Sequence, residues 1–230
     1  QIGLTEAEVS GALLCLDVTE GIIDEAVSKG CNLVVSHHPL LFRGLKQVAD
    51  LNDVQRTVRK AIKNDVCVVS MHTNLDNARG GVNWKIAERL EAVAIEPRGD
   101  EQHPGQWVMA TLGHPMAADE FIGFVKHQLQ ASSAACNELL RRPIEKVAIC
   151  GGAGDFLLDE AIKAGADAFL TGEMHYHQYF GHEQEIQICV VGHYESEHFT
   201  KELLRDIIGN SCPEVTCRLA ETNTNPIIYL

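Results

Sequence analysis

Two adjacent histidines, His37 and His38, follow a short apolar run inside Ser36-His37-His38-Pro39-Leu40-Leu41-Phe42. Side chains on an extended segment alternate between faces, so the two imidazoles can serve two different metal ions. Pro39 stops strand pairing and fixes the turn. Further along, His72 and Asp76 stand four residues apart, as do His193 and Glu197. If a helix starts at the histidine, that spacing puts imidazole and carboxylate on one face, able to grip one ion. A carboxylate can also bridge two cations, and divalent ions ~3.5–4 Å apart activate a water and polarise a substrate oxygen. Gly172-Glu173-Met174-His175-Tyr176-His177 reads either as a source of acid–base or substrate groups or as an ordinary polar loop. Gly151-Gly152-Ala153-Gly154 reads either as an anion seat on backbone amides or as a tight turn.

These groups fall on a faint internal repeat. Asp24–His38 and Asp159–Glu173 each spell helix, glycine turn and buried strand, and each is followed by a second strand ending in His-x-x-x-carboxylate. Apolar runs of four to eight residues alternate with amphipathic stretches, the α/β pattern. Strands are expected at 12–18, 33–36, 66–71, 107–112, 146–150, 168–171, 186–192 and 215–219. Helices are expected at 20–29, 54–64, 82–90, 118–129, 156–164 and 197–208. Thr19 and Asp155 are expected to cap helices at the N-terminus, and Gly30 and Gly165 at the C-terminus. The whole is an α/β fold of two related α/β halves, an internal duplication with a dinuclear metal site in the cleft between them. Residues 1–98 carry His37, His38 and Asp76, and residues 105–230 carry Glu173, His193 and Glu197. The boundary falls near 96–106, where Pro97, Gly99, Pro104 and Gly105 mark a linker.

At 230 residues the chain can bury an ample core. Its net charge of −13 argues against a general nucleic-acid surface, which needs clustered Lys and Arg. No apolar run reaches the length of a membrane span, and no signal-peptide pattern is present. The eight cysteines form no Cys-x-x-Cys pair. Cys15, Cys67, Cys150 and Cys189 sit in strand-like runs and read as buried thiols in a reducing, cytoplasmic compartment.

The His-His-Pro motif, His72-Thr73-Asn74-Leu75-Asp76, Thr171-Gly172-Glu173, Gly192-His193 with Glu197, and the ending Asn223-Thr224-Asn225-Pro226 together resemble the Nif-three-like family, often labelled GTP cyclohydrolase I type two. The resemblance spans nearly the whole chain. It implies two related α/β domains, a toroidal homohexamer, and two divalent metals bound by His37, His38, Asp76, His193 and Glu197. Longer members carry an inserted middle domain, which this chain does not have. Gln1-Ile2-Gly3 resembles the tail of an N-terminal family stretch, which implies a preceding helix.

The resulting expectation is a cytoplasmic dinuclear metal hydrolase acting on a small nucleotide-like substrate, with hydrolytic opening of the GTP purine ring as one form. His37 and His193 would hold one ion, His38 and Asp76 the other, and Glu197 would bridge them. His72 and Glu173 are the candidates for proton transfer. Donors of His and carboxylate type suit zinc, iron, manganese or nickel alike. The rival readings are a metal-dependent phosphoesterase and a non-catalytic metal-binding scaffold or regulatory partner.

Overall fold

The computed structural model describes residues 1–3 and 6–230. In chain order the elements are β1 (Ala12–Cys15), α1 (Glu20–Ser28), β2 (Leu33–Ser36), α2 (Asp53–Lys63), β3 (Cys67–Ser70), α3 (Thr73–Asp76) and α4 (Val82–Arg89). There follow β4 (Ala94–Arg98), β5 (Trp107–Met116), α5 (Ala118–Gln128), β6 (Ala135–Cys136), β7 (Ile144–Cys150), α6 (Leu158–Lys163) and β8 (Ala168–Thr171). The last elements are β9 (Gln187–Val190), α7 (His193–Glu197), α8 (Thr200–Ser211) and β10 (Cys217–Leu219).

The chain divides into two compact units, 1–73 with 199–227 and 74–198 with 228–230. This differs from the expected boundary near 96–106. The expected linker is instead the connection of a hairpin, in which β4 pairs antiparallel with β5, Pro97 lying opposite Val108. The chain passes between units within α3, again after α7, and a third time after Ile227.

The first unit is built on an all-parallel sheet in the order β10-β1-β2-β3. β1, β2 and β3 are short, mainly apolar runs, and Leu13, Ile22, Ile23, Val34, Val58 and Val68 belong to the core. Thr19 caps α1 by accepting from the Ile22 amide, and Asn52 caps α2 by accepting from the Gln55 amide. The helix expected at 197–208 is two helices: α7 ends at Glu197, and α8 packs on β1 and β10.

The second unit carries a mixed sheet in the order β4-β5-β7-β8-β9-β6, with β7, β8 and β9 parallel and the rest antiparallel. Trp107, Ala148, Phe169, Ile186 and Ile188 belong to its core. Gly30 and Gly165 follow α1 and α6 with φ of +70° and +77°, where a residue with a Cβ would be strained. Asp155 does not cap α6. It opens a 3-10 turn, Asp155–Leu157, and its carboxylate accepts from the His175 ring instead. All eight cysteines are free thiols. Among the described residues no helix is long and apolar enough to cross a membrane.

Glu25 on α1 ties the C-terminal segment to the first unit. Its carboxylate accepts from the amides of Glu221 and Thr222 at 2.8 and 2.9 Å and pairs with Lys29 at 2.7 Å. Burial opposes its charge, but Lys29, Thr222 and the two backbone amides outweigh burial and hold the carboxyl down, at about 2. A carboxyl with a depressed folded-state value stabilises the fold above its unfolded value, and that stabilisation is lost as pH falls through the folded value. Stability should therefore drop between about pH 4.5, the ordinary value, and about pH 2. Denaturant titrations over a pH series should show a shallower acid limb for Glu25→Gln. An identical limb would show that the clamp contributes nothing.

Candidate metal centre

In the first unit the site grows from the carboxyl ends of β2 and β3. Parallel strands end at one edge, where α/β sheets present their ligands. His37 is fully buried directly after β2, and His38 follows, half-buried. The His37 and His38 amides donate to the carbonyls of Cys15 and Leu16, continuing the ladder beside the end of β1. His72 enters two residues after β3. Its ring centroid lies 5.3 Å from that of His37 and 5.6 Å from that of His38. Ring nitrogens of His37, His38 and His72 all fall within 4.8 Å of one another, close enough to share an ion.

Both strand-end histidines are oriented through Nδ1. The His37 Nδ1 donates to the Met71 carbonyl at 2.8 Å, and the His38 Nδ1 donates to Asp17 Oδ1 at 2.7 Å. A carbonyl or carboxylate oxygen can only accept, so each of these rings carries a proton on Nδ1. That arrangement matches histidines that bind metal through Nε2 while a fixed acceptor holds the other nitrogen.

In the second unit α7 opens at His193 and ends at Glu197, so the spacing of four does lie on one helical face. His193 Nδ1 donates to Glu173 Oε1 at 2.7 Å, and Nε2 faces Glu197 Oε2 at 3.1 Å. Glu197 is 3% exposed. Asp76 and Glu197 bring carboxylate oxygens within 4.8 Å of each other. The buried Glu197 carboxylate, with the Asp76 carboxylate close by, is a donor pair that could hold a cation. Nearby Cys150 is not part of this donor set. Burial, reinforced by the Asp76 and Glu197 carboxylates, pushes its thiol up to about 12, which keeps it protonated at neutral pH.

The glycine run resolves as a tight turn. The amides of Gly151, Gly152 and Gly154 donate to Asn83 Oδ1, Ser196 Oγ and Thr171 Oγ1, so side chains already occupy the positions an anion would take. The turn also makes room for the carboxylate. A Cβ on Gly152, which has φ +62°, would stand 2.5 Å from Glu197 Oε1 and 3.2 Å from His193 Nε2. His175 and His177 do not join this set. The His175 ring is exposed and donates to Asp155 at 2.6 Å, which raises its pKa, and His177 packs against Tyr176 and Phe180.

The repeat alignment is offset by one residue. His72 is the second residue beyond β3 and precedes α3, whereas His193 is the third beyond β9 and opens α7. Sequence reasoning missed Asp17, the Met71 carbonyl and Thr224, whose hydroxyl donates to Asp17 Oδ2 at 2.7 Å. Only the spatial fold brings those groups to the imidazoles.

The model of the Duf34/NIF3 (NGG1p interacting factor 3) family matches residues 1–226. A Clostridium perfringens relative named GTP cyclohydrolase 1 type 2 homolog is 32% identical over 200 residues, covering 85% of this chain and 76% of the relative. A Lactococcus lactis protein of the same name is 30% identical over 231 residues, covering 98% and 88%. A Staphylococcus aureus hypothetical protein of known structure superposes with a TM-score of 0.90 at 26% identity, covering 100% of this chain and 90% of that one. A Bacillus cereus protein related to NIF3 shares the fold with a TM-score of 0.86 at 22% identity. With a family model spanning nearly its whole length and relatives sharing about a third of its residues, the chain belongs to the Duf34/NIF3 family.

Proposed function

We propose that the protein is a dinuclear metal-dependent hydrolase of a small nucleotide-like substrate, with His37, His38, Asp76, His193 and Glu197 as the metal ligands. The observation that carries the reading is the second unit's acceptor set: buried Glu197 facing His193 Nε2 at 3.1 Å, with the Asp76 carboxylate within 4.8 Å. His37 and His38, whose ring nitrogens lie within 4.8 Å of each other in the first unit, are the imidazole donors of the same proposal. Divalent ions bound by such donors supply Lewis acidity and acidify water at neutral pH. The nucleotide-like substrate is favoured by the name its relatives carry, homologs of GTP cyclohydrolase 1 type 2. A homohexameric assembly is part of the same proposal and rests on the family resemblance.

The chain's own residues divide the remaining work. Glu173 accepts from His193 Nδ1, which gives it a positioning role beside the proton-transfer role expected from sequence. His72 stands beside His37 and His38 and ahead of α3, which ends in Asp76. An imidazole there suits proton transfer to a leaving group near neutral pH. Internal duplication is also proposed. Its support is that β1-β2-β3 and β7-β8-β9 have the same order and the same parallel sense, each with a positive-φ glycine before its second strand.

Elemental analysis of purified protein, followed by a nucleotide panel with each metal restored, tests the proposal. About two divalent ions per chain are expected, and the paired substitution His37→Ala with His193→Ala should remove at least one. Full metal content in that double variant would overturn the ligand assignment. His72→Ala should keep most of its metal and lose turnover by roughly 10²- to 10⁴-fold. Wild-type turnover in His72→Ala would make the residue structural, and loss of the metal would make it a ligand.

A further inference from the structure

We infer that Asp17 and Thr224 form a hydrogen-bond relay that fixes the His38 imidazole as its Nδ1-protonated tautomer, aiming the Nε2 lone pair at a divalent cation. The inference rests on the metal-centre reading above and extends it to two positioning residues, one of them on the C-terminal segment.

The geometry is specific. Both oxygens of Asp17 are engaged, Oδ1 accepting from His38 Nδ1 at 2.7 Å and Oδ2 accepting from Thr224 Oγ1 at 2.7 Å. A carboxylate held at both ends cannot swing away from the ring, so the orientation of the ring is set by the orientation of the acid. The backbone enforces the same register, since the His38 amide donates to the Leu16 carbonyl, next in sequence to Asp17.

Thr224 is itself fixed on both sides. Upstream, the Ala220 amide donates to Leu14, and the Glu221 and Thr222 amides donate to Glu25. Downstream, the Asn225 amide donates to Asn223 Oδ1, and the Ile227 amide donates to Asn225 Oδ1, two local turns that hold the segment in shape. The Asn223-Thr224-Asn225-Pro226 ending thus acquires a role: it delivers one hydroxyl to the acid that orients His38.

The other two imidazoles are oriented differently. His37 leans on the Met71 carbonyl and His193 on Glu173, and neither acceptor is Asp17 or Thr224. Changes at Asp17 or Thr224 should therefore disturb His38 alone.

Metal-free protein labelled with ¹⁵N histidine reads the tautomer directly through long-range ¹H–¹⁵N correlations. Wild type should show His38 protonated on Nδ1. Asp17→Asn, which offers an amide N–H where an oxygen stood, should populate the Nε2-protonated form, with His37 and His193 unchanged. In a cobalt titration followed by absorbance, Asp17→Asn should bind roughly 10- to 100-fold more weakly. Thr224→Val, the milder change, should bind about 2- to 10-fold more weakly, the worth of one hydrogen bond, and Thr224→Ser should restore wild-type binding. A wild-type His38 protonated on Nε2 would overturn the relay, as would Asp17→Asn and Thr224→Val proteins that bind cobalt like wild type. Wild-type protein that binds no cobalt would defeat the metal-centre reading itself and the relay's role with it. Unaltered variants beside a binding wild type would defeat the relay alone.

Discussion

Parallel pairing of β1, β2 and β3 ends all three strands at one edge of the first unit's sheet, and the candidate site inherits that constraint. Any residue placed directly after a strand is carried to the same edge, so His37, His38 and His72 meet although more than 30 residues separate the first from the last. The same holds within the second unit, where β8 ends ahead of Glu173 and β9 ends ahead of His193. Apolar residues fill the strands themselves, so the sheet's position does not depend on the polar groups at its edge.

At those strand ends the decisive requirement is that each imidazole be oriented. A neutral histidine has two nitrogens of opposite character, and only the unprotonated one can bind a metal. His37, His38 and His193 each commit Nδ1 to an oxygen acceptor, and the acceptors come from three sources: a backbone carbonyl, a first-unit aspartate and a second-unit glutamate. For His193 the second nitrogen, Nε2, faces the Glu197 carboxylate at 3.1 Å. Around Glu197, the glycine at 152 is a steric need, because any side chain there would collide with the carboxylate.

Most of the fold was legible because strands such as β1, β2, β3 and β8 are short, mainly apolar runs, and α1 and α2 open on side-chain caps. What escaped has physical causes. β4 contains Glu96, Pro97 and Arg98, is largely exposed and pairs on one side only, so it reads as a linker. β6 has two residues and α3 four, too few for any periodicity. The unit boundary was misplaced because α8 and β10 return to the first sheet, a non-local pairing invisible to composition. The histidine and carboxylate spacings could be read directly. Their supports could not: Asp17 looks like any acid beyond a strand, and Thr224 lies 207 residues from it in sequence. The one-residue offset between His72 and His193 also needed the ladder, since sequence alone aligns the two histidines.

The central claim is that the chain holds two divalent ions through imidazole Nε2 atoms and the Asp76 and Glu197 carboxylates. Diffraction from metal-loaded crystals at the absorption edge of the bound metal tests it most directly. The account predicts two anomalous peaks per chain, each about 2.0–2.2 Å from an Nε2 atom of His37, His38 or His193 or from an oxygen of Asp76 or Glu197. A single peak, or peaks bound through Nδ1 or at residues outside that set, would contradict it.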